Sequence, residues 1–141
     1  MKKIVLMLAM VMMLAMSAVC SASNGKVLDA EEAIVSKFLN AANYNAVTSM
    51  MTEDMRKDFT AETFANFKEQ LDKNFGKLNE NRLFMVEKHN EADILRCQSK
   101  FEKVPEAQFT FLFEVKNEKP LMAKFALALP PKPEDKKAEQ K

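Results

Sequence analysis

The sequence predicts an α+β fold, with N-terminal helices packed on a curved four-stranded antiparallel sheet, and three observations carry that prediction. Up to Gly76, apolar residues recur at helical spacing. Beyond it they alternate with a period of two through successive short runs. The breaks between those runs are too short for crossover helices, so consecutive strands must pair as antiparallel hairpins. Helices first and strands second is the α+β order, and the helices then have to cover one face of the sheet.

Taken in order, Asn24, Gly25 and Lys26 read as a linker, and Asp29 with Glu32 reads as a capping box that opens the first helix. Its apolar stripe is Ile34, Phe38 and Ala42, joined by Val35 and Leu39. Asn43-Tyr44-Asn45 breaks it. A short helix follows with Val47, Met50 and Met51 inward, then a turn capped by Thr52 that carries Met55 and Phe59. Thr60 caps the longest helix, which aligns Phe64, Phe67, Leu71 and Phe75 on one face and stops at Gly76. A first strand runs from about Leu78 to Lys88. The second places Leu95, Cys97, Ser99 and Phe101 on one face, and the third does the same with Phe109, Phe111, Phe113 and Val115. In the fourth, strict alternation puts Leu121, Ala123, Phe125, Leu127 and Leu129 inward, leaving Ile94, Leu112 and Met122 on the outer face.

Residues 1–22 read as an export signal. Lys2 and Lys3 precede an uncharged stretch from Ile4 to Ala18, and small residues follow at Ser17, Ala18, Ser21, Ala22 and Ser23. An uncleaved anchor is the competing reading, but no basic stop closes the stretch. Met16-Ser17-Ala18-Val19-Cys20 resembles a lipoprotein box, with branched Val19 where a small residue is usual. Lipidation at Cys20 is therefore the alternative to cleavage near Ala22. Either outcome places the protein outside the cytoplasm: secreted, periplasmic or at the cell surface, with no integral membrane domain left once the signal is removed.

Cleavage removes Lys2 and Lys3 from 21 basic residues and none of the 20 acidic ones, so the mature chain is close to neutral. Nucleic acid, which calls for a basic face, is not expected as a partner on that count. Cys97 is left without a disulfide partner, and the fold relies on an ordinary apolar core. Residues 23–129 suffice for a single domain burying on the order of two-thirds of its unfolded surface. Residues 130–141 begin with Pro130-Pro131-Lys132-Pro133 and continue as a charged run, a composition expected to be disordered.

Phe38-Leu39-Asn40-Ala41-Ala42-Asn43-Tyr44-Asn45-Ala46-Val47, Met55, Thr60-Ala61-Glu62-Thr63-Phe64 and Phe75-Gly76-Lys77-Leu78 together resemble the nuclear-transport-factor-2-like (cystatin-like) superfamily. Within it they resemble the exported bacterial domain-of-unknown-function family 3887, over about residues 30–128. That resemblance implies a cone-like fold with the sheet wrapped around the helices. It implies no activity, and the tryptophan common in that family's long helix is missing here, Phe67 being the nearest stand-in.

Candidate sites are few. His89 is the single histidine, so neither a His-based metal set nor a nucleophile–base pair is available, and neither cofactor nor metal is expected. It reads as a solvated turn residue beside Asn90. Glu53, Asp54, Asp58 and Glu62 read as helix-start acids. Cys97 reads first as a buried thiol. The aromatic stripe of Phe109, Phe111 and Phe113, with Phe64, Phe67, Phe125 and Cys97, is core in the first reading and the lining of an apolar cavity in the second. On the apolar face Tyr44 is the one group expected to offer acid–base chemistry, which weighs against an enzyme. The function expected is therefore a non-catalytic exported domain that binds a small apolar ligand or a partner protein. The alternatives are a homodimer through the outer sheet face and, behind it, a lyase or isomerase with its site in the cone.

Overall fold

A computed structural model describes residues 25–129. The expected export signal, the cleavage site, Cys20 and the charged tail all lie outside the described residues.

Among the described residues, four helices precede the sheet: α1 over residues 25–40, α2 (Asn45–Thr48), α3 (Glu53–Asp58) and α4 (Ala61–Phe75). The first helix departs from expectation at its start. Gly25 and Lys26 are helical rather than linker, and Asp29 lies inside the helix, exposed, so Asp29 and Glu32 form no capping box. The buried stripe runs Val27, Glu31, Val35, Phe38 and Leu39, while Ala42 lies beyond the helix and faces solvent. An acidic residue occupies a fully buried position in the stripe, so apolar spacing alone misses the helical residues before Asp29.

The caps of the later helices follow from local chemistry. Thr52 Oγ1 accepts from the Met55 amide at 3.2 Å, and Thr60 Oγ1 accepts from the Thr63 amide at 3.3 Å, satisfying amides that would otherwise have no partner at each helix start. Gly76 ends α4 at φ +74°, ψ −158°, a conformation open essentially to glycine alone. A Cβ there would also meet Glu102 Oε2 at 2.8 Å, the oxygen that accepts from the Lys77 amide.

The sheet is an antiparallel meander in the order β1-β2-β3-β4: β1 (Leu78–Lys88), β2 (Ala92–Phe101), β3 (Ala107–Lys116) and β4 (Lys119–Ala128). Asn117 and Glu118 form the tightest connection, both at positive φ (51° and 60°), the twist-matched geometry of a two-residue hairpin. The free edge of β4 is closed by the chain before α3: the Met122 amide donates to Met50 O at 2.8 Å and the Thr52 amide to Met122 O at 2.9 Å.

Register decides which residues meet the helices. Cys97 pairs with Phe109 and Leu95 with Phe111, putting both strands' apolar sets on the helix-covered face, as their alternation predicts. β4 does not keep strict alternation. Leu112 pairs with Lys124 but Phe113 with Met122, so Ala123 is an extra residue and the phase inverts there. Met122 is consequently fully buried, contrary to its expected place on the outer face, and Leu121 points outward. A second bulge at Phe84 sets Phe84 and Met85 on the outer face, opposite Arg96.

Phe38 is the centre of the core. Its ring lies 4.9 Å from Phe125, 6.0 Å from Phe67, 6.4 Å from Phe64 and 6.2 Å from Phe111, so it stands between the long helix and the middle of the sheet. Phe75, Phe101 and Phe109 continue the aromatic chain toward the start of α4's exit into β1.

Candidate functional site

Among the seven residues expected to line an apolar cavity, Phe64, Phe109, Phe111 and Phe113 are buried in the core, and Phe67 and Phe125 are half-buried against it. Their rings are in contact with neighbouring rings or packed side chains rather than around an opening. The largest cleft described lies to one side, between α1 and β1. It has a volume of about 580 Å³ and, of the seven, takes only Cys97 into its wall.

The cleft runs beside α1 along β1, an outer strand of the sheet. Val35 and Leu39 of α1, Leu78 and Leu83 of β1 and Leu95 of β2 make an apolar floor. Glu32, Ser36 and Asn40 line the helix side; Asn79, Glu80, Asn81 and Arg82 line the strand side. A smaller cleft of about 190 Å³ shares Leu39, Asn40 and Leu78 and leads toward Lys68, Asp72 and Gly76. Lys68 Nζ donates to Leu39 O at 2.9 Å there, holding the end of α1. Ser99, an inward residue with no exposure, donates its hydroxyl to Asn81 Oδ1 at 2.7 Å and so fixes one rim amide.

Burial pushes the Cys97 thiol up to about 11, outweighing its contact with Asn81, and nearby Glu32 adds to the rise. It is therefore a thiol rather than a thiolate at neutral pH, and a poor nucleophile. His89 sits exposed at the hairpin between β1 and β2, its amide donating to Ala92 O at 2.8 Å. Tyr44 packs its half-buried ring 6.0 Å from Phe64. Asp54 pairs with Lys57 on the surface at 2.9 Å, which lowers its pKa.

A group of charges at the other end of the helix-covered face had no counterpart in the sequence reading. Glu31 of α1 is fully buried, and Asp93 of β2 nearly so. Lys88 of β1 lies between them, with Nζ 2.5 Å from Asp93 Oδ2 and 3.5 Å from Glu31 Oε2. Glu31 Oε1 has no hydrogen-bond donor facing it. Burial first, and then the Asp93 carboxylate, raise the Glu31 pKa from its ordinary value to about 8, with Lys88 opposing the rise. Contact with both carboxylates raises the Lys88 pKa in spite of partial burial. The expectation that the inner face offers no carboxylate is thus corrected: β2 begins at Ala92, which puts Asp93 in phase with Leu95. Neither acid, however, lines any of the clefts described above. The missed signal was a spacing, with Glu31 four residues after Val27 and four before Val35.

Among the described residues, no helix is long and apolar enough to cross a membrane. Compared with protein-family models, with curated proteins and with solved structures, the chain matches none.

Proposed function

We propose that this is an exported, non-catalytic binding domain of the nuclear-transport-factor-2-like type, similar to family 3887, that holds a small ligand in the cleft between α1 and β1. The observation that carries the reading is the contrast between a filled aromatic interior and an adjoining cleft of about 580 Å³, within the range of small-molecule sites. Its apolar floor and amide- and charge-bearing rim suit an amphipathic molecule, apolar along one side and polar at its edge. Ligand contact thereby moves from the phenylalanine stripe to Val35, Leu39, Leu83 and Leu95. The test is native mass spectrometry of the protein, before and after Ser36→Trp, which fills the cleft from its exposed rim. A non-covalent adduct of a few hundred daltons, lost in the variant, supports the site. Bare polypeptide mass in both, with no 8-anilinonaphthalene-1-sulfonate fluorescence that Ser36→Trp abolishes, removes it.

Self-association through the outer sheet face is a second reading with its own observation. Phe84 (47 % exposed) and Met85 (45 %) lie beside a row running Glu87, Ile94, Leu112, Lys124 across the four strands. A two-fold axis along the strands, between β2 and β3, would set each Glu87 against the second copy's Lys124 and each Ile94 against its Leu112. A sedimentation mass that stays monomeric at millimolar concentration would exclude it.

A further inference from the structure

We infer that Glu31, Lys88 and Asp93 form a proton-operated clamp, which holds α1 against the β1–β2 hairpin when Glu31 carries a proton and loosens when it does not. The geometry leads there directly. Three ionisable groups from three elements meet in one cluster whose two carboxylates are buried and whose lysine is partly exposed. Fully ionised they amount to two negative charges and one positive, an excess that burial of the acids makes costly. Lys88 is committed to Asp93 at 2.5 Å and reaches Glu31 only at 3.5 Å. The second oxygen of Glu31 has no donor among the described residues. A proton on the Glu31 carboxyl cancels the excess charge and turns an acceptor-only group into a donor toward Asp93.

Among the described residues, nothing else on the packed elements supplies the missing charge. On β3, Phe113 pairs with Asp93, and on β4, Met122 pairs with Phe113, so both neighbouring strands present apolar side chains. Glu87 and Arg96 pair with each other at 3.2 Å on the outer face. Glu32 lines the cleft, and His89 and Glu91 are exposed in the hairpin turn. The raised Glu31 pKa agrees with this arrangement.

The sign follows from linkage. The folded state holds the Glu31 proton up to about pH 8, while the unfolded chain loses it near 4.5. Between those values the folded state binds more protons, so stability falls as pH rises, and the contribution is gone above about 8. Loosening acts beside Glu32 and one turn from Val35, which line the cleft, and so should widen it. That consequence rests on the cleft being the ligand site; the clamp itself does not.

Carbon-13 NMR of the Glu31 carboxyl in the intact protein tests the clamp without any ligand. A midpoint within about one unit of 8 is expected, moving higher in Lys88→Met as the cation is lost. A midpoint below 6, or a downward move in Lys88→Met, overturns the proposal. Hydrogen exchange gives an independent reading. From pH 6 to 9, amides around Glu31 and in the β1–β2 hairpin should gain about tenfold over the intrinsic base-catalysed increase, and Glu31→Gln should abolish that excess. Equal acceleration in Glu31→Gln would overturn the clamp. Failure of the cleft as a ligand site would leave both measurements unchanged.

Discussion

The helix-covered face has two regions built on opposite principles. Around Phe38 and Phe111 it is aromatic throughout, and every buried group is satisfied by packing alone. Around Glu31 it is held by three charges that only partly satisfy one another. The first region is insensitive to pH near neutrality because its buried side chains are aromatic and aliphatic, with the Cys97 thiol raised to about 11. The second carries its stability in a proton. One small fold thus contains a constant part and a conditional part, and substitutions should separate them.

The largest effects belong to the constant part. Phe111→Ala should cost about 3–5 kcal/mol in chemical denaturation, because a fully buried ring leaves a cavity between Phe38 and Phe109. That loss should be the same at pH 5 and pH 9. A loss that shrank with rising pH would join the two regions into one unit. Met122→Lys should be comparably severe, and Leu112→Lys should cost about 1 kcal/mol or less, since the bulge at Ala123 turns Met122 in while Leu112 points out. Equal effects would move the bulge.

Next in size is Gly76→Ala, expected to cost about 1–2 kcal/mol from its positive φ and the 2.8 Å approach of Glu102. Thr60→Ala, which removes the α4 cap, should cost about 1 kcal/mol. Smallest at acid pH is Glu31→Gln, which mimics the protonated side chain. It should be near neutral at pH 5 and gain on the native protein as pH rises toward 8. A native protein whose melting temperature rises from pH 5 to pH 8 would reverse that sign.

The sequence shows the constant part well. Phe109, Phe111 and Phe113 at spacing two, and Phe64, Leu71 and Phe75 at helical spacing, need no tertiary information to be assigned to the core, and all are buried. Thr52, Thr60 and Gly76 are legible because capping is local. Three things were not. The Ala123 bulge inserts one residue without marking it by glycine or proline, so Met122 appeared on the wrong face. The helical residues before Asp29 were hidden by Glu31, an acid where the stripe calls for an apolar residue. The cleft depends on how far α1 stands from β1, a distance that no pattern within either segment encodes. Cys97 alone connects the expected lining to the observed one.

The contact between Glu31 and Lys88 also bears on the order of assembly, since it joins residues 57 positions apart, whereas each strand of the meander meets its neighbour across a short turn. Loop closure favours near neighbours, so the hairpins should form early and the docking of α1 should come late. A residue engaged only after the rate-limiting step leaves its mark on unfolding. Raising the pH, which removes the Glu31 proton, should therefore speed the escape from the native state while refolding proceeds at nearly its original rate.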